Sequence, residues 1–112
     1  MKKQVKNKLI FAGIILLILL FLILPLKKHP VTSEEIAKCI GENSILYTQI
    51  GCHACEVQED MFGENKKFLK KIDCFYEPQK CAEITGTPTW NIKGKEYVGV
   101  QSIEKLKELT NC

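Results

Sequence analysis

The sequence predicts one small α/β domain, a mixed four-stranded sheet flanked by helices, carried behind an N-terminal transmembrane helix. Three observations carry this. The chain opens on a long apolar stretch. The segments after it read in the order α-β-α-β-α-β-β-α, by the period of their apolar residues and their turn signals. A Cys-His-Ala-Cys motif stands where the first of those strands meets the next helix. At 112 residues the chain has room for one domain of this size.

Residues 9–24, "LIFAGIILLILLFLIL", hold no charged or polar side chain, and Leu26 after Pro25 extends the run to 18 residues. As a helix this run covers about 27 Å, close to the hydrocarbon thickness of a bilayer. Lys2, Lys3, Lys6, Lys8 and the terminal amine precede it, against Lys27 and Lys28 behind it. The bias predicts a cytoplasmic N-terminus and an extracytoplasmic domain at the cell membrane. A cleaved signal peptide has a shorter apolar region and ends at small residues. "PLKKHPVTSEE" offers no such site, so a retained single-pass anchor is expected. A buried core helix would not stay free of polar side chains for so long in so small a domain. The expected organisation is a basic tail at 1–8, an anchor at 9–26, a linker at 27–33 and a domain at 34–112.

The formal charge of +3 belongs to this topology. Six of the 16 basic residues lie in the first 28 positions, leaving ten lysines against 13 acids in the rest. That domain, at net −3, has no basic patch of the kind nucleic acid requires. All six cysteines, Cys39, Cys52, Cys55, Cys74, Cys81 and Cys112, fall in it. An even count in a small domain outside the membrane fits disulfide chemistry.

The elements follow in order. "TSEE" at 32–35 reads as a capping box on Thr32 and Glu35, opening a short helix over Ile36, Ala37 and Ile40 that Gly41 stops. "SILYTQI" (44–50) is a buried strand. Beyond the motif, Val57, Met61, Phe62, Phe68, Leu69 and Ile72 recur at helical spacing, with Gly63 as a break. "IDCFY" (72–76) is a second strand, and "PQKCAEIT" (78–85) a short helix opened by Pro78. "TPTWNI" (87–92) and "KEYVGV" (95–100) form a hairpin about Lys93-Gly94. Ser102 caps a last helix bearing Ile103, Leu106 and Leu109. The β-α-β unit is parallel and right-handed. Phe62, Phe68, Phe75 and Trp90 are expected in the core, and Tyr47 fits either core or site. Lys66, Lys67, Lys70 and Lys71 read as a solvated helix face, with anionic lipid as a lesser alternative.

A C-x-x-C between strand and helix is a redox signature. Unpaired N–H groups and the helix dipole stabilise a thiolate at Cys52. Cys55, one turn further on, is placed to resolve a mixed disulfide. His53, as an imidazolium, would favour the thiolate further; its plainer reading is an exposed polar residue. A structural disulfide closing so small a loop adds little. Zinc would need Cys74 and Cys81 as well, at a spacing unlike zinc knuckles, so no metal is expected. Covalent haem needs His after the second cysteine, where Glu56 stands. "GTPTW" (86–90) puts Pro88 at a strand start beside the redox loop, which favours a cis Thr87–Pro88 bond.

With these residues the chain resembles the thioredoxin superfamily. The closer resemblance is to thioredoxin-like domains fused to or paired with bacterial and archaeal homologues of vitamin K epoxide reductase. The carriers are "LYTQIGCHACEVQEDMFG" (46–63), "IDCFYEPQKCAEITGTPTWNIKGKEYVGVQSIEKLKEL" (72–109) and the Cys74/Cys81 pair, over about residues 36–110. The resemblance implies a thioredoxin-like fold, with Cys52 attacking, Cys55 resolving, and Thr87 and Pro88 lining the substrate groove. It also implies a quinone-linked membrane partner. Two departures stand out. The family's C-P-H-C is here Cys-His-Ala-Cys, so His53 and Ala54 set the redox tuning. The strand Ile45 to Ile50 lacks the buried carboxylate of many thioredoxins, leaving water or Glu56 to take the Cys55 proton.

Cys74 and Cys81 bracket a turn and are expected to form a structural disulfide. Cys39 and Cys112 remain, and pairing them would tie down the chain terminus. The expected function is a thiol–disulfide oxidoreductase without a bound cofactor. It would oxidise exported client proteins and be reoxidised by a vitamin K epoxide reductase homologue. The alternatives are a reductase or isomerase, and a metal-delivery module using Cys52, His53 and Cys55.

Overall fold

The computed structural model describes residues 2–24 and 31–112. The chain divides into two compact units, one up to residue 30 and one from Val31 to Cys112. In the first, α1 (Lys2–Ile23) is a 22-residue helix with every side chain exposed. It is long and apolar enough to cross a membrane. Lys2, Lys3, Lys6 and Lys8, in the expected basic tail, continue this helix toward the N-terminus. The expected end of the anchor at Pro25–Leu26, the flanking Lys27 and Lys28, and the linker up to Pro30 lie outside the described residues.

The second unit begins with α2 (Glu34–Glu42). Its cap is Ser33, whose hydroxyl accepts from the Ile36 N–H at 3.4 Å. The expected cap, Thr32, is instead buried and donates its hydroxyl to the Met61 carbonyl at 2.8 Å. Its own carbonyl accepts from Asn65 Nδ2 at 2.8 Å, so residues 31–33 belong to the domain and not to a linker. The capping box is therefore absent: Thr32 carries a methyl group that gains from burial, and Ser33 takes the solvent-side position. Gly41 does not stop the helix. It is buried inside α2, where a Cβ would collide with the Phe68 carbonyl. Asn43 ends the helix, donating to the Cys39 carbonyl at 2.7 Å.

The sheet has the order β2-β1-β3-β4, from β1 (Ile45–Thr48), β2 (Lys71–Asp73), β3 (Thr89–Ile92) and β4 (Lys95–Val98). β1 runs parallel to β2 and antiparallel to β3, and β3 pairs antiparallel with β4. Lys93 (φ 54°) and Gly94 (φ 78°) close the β3–β4 hairpin in a two-residue turn that requires positive φ at both positions. α3 (His53–Asp60) is followed by a 3-10 helix (Gly63–Phe68), so the helical run beyond the motif breaks before Gly63, which sits at φ 54°. The second expected strand ends at Asp73, and Cys74–Tyr76 is turn. Pro78–Cys81 is a single 3-10 turn. Lys71 is thus a strand residue, and the four lysines do not share one helix face.

Leu46, Trp90 and Ile92 from the sheet meet Ala37, Ile40, Phe62, Leu69 and Leu106 in one core. The Phe62 and Trp90 rings lie 6.1 Å apart at 44°. Phe68 is half-buried against this core, while Phe75 is 61% exposed, correcting its expected place in it. Val57 is exposed as well, because it faces outward from α3. α4 (Ile103–Thr110) is capped by Ser102, whose hydroxyl accepts from the Lys105 N–H at 3.2 Å. Asn111, at φ 58°, ends it and turns the chain so that Cys112 reaches Cys39 on α2.

Candidate functional site

β1 delivers the chain to the motif at its C-terminal end. The Cys52 N–H donates to the Gln49 carbonyl at 3.0 Å, and this turn sets Cys52 as the N-cap of α3. Its Sγ accepts from the Cys55 N–H at 3.1 Å. A backbone donor that the helix would otherwise leave unsatisfied is thus aimed at the first sulfur. Cys52 is bonded to Cys55. Cys52 is half-exposed and Cys55 is 4% exposed, so an incoming thiolate reaches only the first sulfur.

β3 brings the other wall. The Thr87–Pro88 bond is cis and immediately precedes the strand. Thr87 faces Cys52 from there, with its carbonyl oxygen 3.6 Å and its hydroxyl 3.5 Å from Cys52 Sγ. Cys52, Cys55, Thr87 and Pro88 are therefore in one place. His53 is not with them: its side chain is 89% exposed and its Nδ1 lies 3.9 Å from Glu56 Oε2 on the solvent side. Ala54 is half-buried on the same turn.

A cleft of about 510 Å³ lies along Cys52 and Cys55. Glu56, Glu59, Asp73 and Glu77 line it, with Lys71 as the cation among them. Glu59 pairs with Lys71 at 2.9 Å, and Glu77 pairs with Lys80 at 2.6 Å. Glu56 and Asp73 are the cleft carboxylates without a lysine partner among the described residues. Tyr76 also lines the cleft, in edge-to-face contact with Phe75 at 5.2 Å.

Two features escaped the sequence reading. Gln58 is fully buried, and its Oε1 accepts from Trp90 Nε1 at 2.9 Å and from the Gln101 N–H at 2.7 Å. Its Nε2 donates to the Gln101 carbonyl at 3.1 Å. This locks α3 against β3 and so holds the cysteines against Thr87. The signal was a glutamine three residues after Cys55, on the same helix face. Glu59, four residues after Cys55, is the second: it brings a carboxylate from α3 to the cleft that β1 does not supply.

The sheet order, the C-x-x-C at the head of α3 and the facing cis Thr87–Pro88 bring a disulfide and a cis-proline loop together at one end of a mixed four-stranded sheet. No family model matches the chain. Among solved structures it is similar to the NTD_N/C domain of alkylhydroperoxide reductase AhpF from Enterococcus faecalis, at 16% identity and a TM-score of 0.44. That similarity covers 74% of this chain and 46% of that one.

Proposed function

We propose that the chain is a membrane-anchored thiol–disulfide oxidoreductase that oxidises the thiols of exported proteins. The observation that carries this is the disulfide at the start of α3, with one reachable sulfur held between a backbone N–H and Thr87. A client thiolate attacks Cys52 Sγ, and Cys55 departs as a thiolate and takes up a proton. A second client thiolate then attacks the client sulfur of the mixed disulfide. The client leaves with a disulfide, and Cys52 leaves as a thiolate stabilised by the helix N-terminus. That stabilisation of the reduced form makes the oxidised form the better oxidant.

The electron pair then passes on to a quinone-linked membrane enzyme, a vitamin K epoxide reductase homologue by resemblance, and the Cys52–Cys55 bond is restored. The decisive measurement is the reduction potential of this couple, with its redox state in cells with and without that partner. An oxidising potential and an oxidised pair that becomes reduced when the partner is deleted are expected. A potential near about −270 mV, with the pair reduced in cells, would turn the reading to a reductase. Protease added to right-side-out vesicles tests the orientation and is expected to digest residues 31–112.

A further inference from the structure

Two more disulfides join this domain, and they sit in different surroundings. Cys39–Cys112 ties the chain end to α2, and Cys112 packs against the core. Cys74–Cys81 is not part of that core. Both of its cysteines are half-exposed and line a cavity of about 340 Å³ together with Gln49 and Thr87. These two wall residues also border the redox pair. Gln49 lines the cleft along Cys52 and Cys55, and Thr87 lies 3.5 Å from Cys52 Sγ.

The segment that Cys74–Cys81 closes is held by backbone and side-chain hydrogen bonds as well as by that bond. The Asp73 carboxylate accepts from the Phe75 N–H at 2.9 Å, and the Asp73 carbonyl accepts from the Glu77 N–H at 2.9 Å. The Lys80 N–H donates to the Glu77 carbonyl at 3.0 Å, and the Cys74 N–H donates to the Thr48 carbonyl at 2.8 Å. With a sequence separation of 7 against 73, the bond closes a much shorter loop than Cys39–Cys112 and so adds less loop-closure entropy. It can open and close while the turn stays in place. A half-exposed disulfide on a hydrogen-bonded turn, sharing the wall residues Gln49 and Thr87 with the redox pair, is placed for exchange more than for stability.

We propose that Cys74–Cys81 is a second redox couple, which accepts the electron pair that Cys52/Cys55 takes from a client. The inference rests on the oxidoreductase reading. The Cys52 thiolate attacks one sulfur of Cys74–Cys81; that bond breaks, and the other sulfur leaves as a thiolate and is protonated. Cys55 then attacks Cys52 in the mixed disulfide, the Cys52–Cys55 bond re-forms, and the second sulfur leaves and is protonated. Two electrons and two protons pass from the first couple to the second. Contact requires the Cys52 sulfur to leave Thr87 and cross the cavity mouth, a movement of the exposed Gln49–Gly51 loop. The quinone-linked partner would then reoxidise Cys74/Cys81 at its own cavity, leaving the cleft at Cys52 to the next client.

The test uses the oxidised full chain in detergent with a peptide carrying two thiols. Thiols are counted by alkylation and mass mapping as oxidation proceeds. Peptide oxidation is expected to reach two equivalents per chain, with Cys74 and Cys81 alkylated along with Cys52 and Cys55. Arrest at one equivalent with Cys74–Cys81 intact overturns the relay and leaves the oxidoreductase reading standing; no peptide oxidation at all defeats that reading itself. Two variants separate coupling from direct reduction. In Cys52→Ala/Cys55→Ala the second pair is expected to stay oxidised; reduction at the wild-type rate overturns the coupling. Cys55→Ala is expected to yield Cys52 linked to Cys74 or Cys81; recovery of Cys52 only as a free thiol overturns it too.

Discussion

Cys52–Cys55 and Cys39–Cys112 are the same bond in opposite settings. The first joins residues three apart at the open end of the sheet, and the second joins residues 73 apart across α2 and α4. Loop-closure entropy assigns about 2 kcal/mol to the short link and about 4 kcal/mol to the long one. The long link packs on the core, while the short one presents a half-exposed sulfur to a cleft. On the proposed function, what separates a reactive disulfide from a structural one is its surroundings: access for an attacking thiolate, a donor aimed at the sulfur that must carry charge, and less stability lost on opening.

The largest effect that would break this contrast lies at Cys52. Cys52→Ala is expected to drop client oxidation to the uncatalysed rate while leaving the thermal transition within about 2 kcal/mol of wild type. Cys55→Ala, offered a client that already carries a disulfide, is expected to accumulate mixed disulfides through Cys52, to that client or to Cys74/Cys81, mapped by mass and lost on reduction. The opposite trapping pattern would exchange the two roles. At the other end, Cys39→Ala/Cys112→Ala is expected to cost about 2–5 kcal/mol in denaturant unfolding, with client oxidation unchanged below the new transition. A redox defect in the folded double variant would erase the distinction between the two bonds.

Gln58 connects the two regions, since it bonds α3 to Trp90 on β3 and to the chain entering α4. Gln58→Leu leaves the Trp90 indole N–H and the Gln101 N–H without their acceptor and is expected to cost about 2–3 kcal/mol. Because the same bonds set α3 against Thr87, client oxidation is expected to fall with stability in this variant, unlike in the Cys39/Cys112 variant. Unfolding curves and oxidation rates on one preparation decide it.

The difference between local and distant information explains how much was legible. Strand β1, the hairpin at Lys93-Gly94 and the Ser102 cap were readable because each depends on a few neighbouring residues. The mixed sheet followed from the element order, and Pro88 at a strand start beside the motif pointed to the cis Thr87–Pro88 bond, while the groove-lining role of these two residues came through resemblance. Thr32 misled because two hydroxyl residues adjoin, and the choice between them depends on Met61 and Asn65, far along the chain. Phe75 misled because aromatic content was taken as burial, whereas the strand ends two residues earlier and turns it outward. Ser33→Ala is expected to cost about 1 kcal/mol, a loss that Thr32 cannot rescue from its buried position. A Ser33 variant as stable as wild type would return the cap to Thr32.

The smallest expected effect lies on α2, at the structural end. The Glu34 carboxyl is held below the usual glutamate range, first by the hydrogen bond from Lys38 Nζ at 2.8 Å and then by the Lys38 charge. A carboxyl depressed in the folded state adds stability above its unfolded value and loses it as pH falls through the folded one. Both partners are well exposed, so salt screens the pair and the gain is slight. Lys38→Ala is expected to raise the Glu34 titration midpoint toward its usual value, read by carboxyl NMR. The stability gap between variant and wild type should narrow as the pH falls through the folded midpoint, and should shrink with added salt at neutral pH. The Cys52–Cys55 exchange rate should not move with any of this, because α2 meets neither wall of the cleft. A rate that follows the Glu34 titration would show that the two ends of the domain are coupled after all.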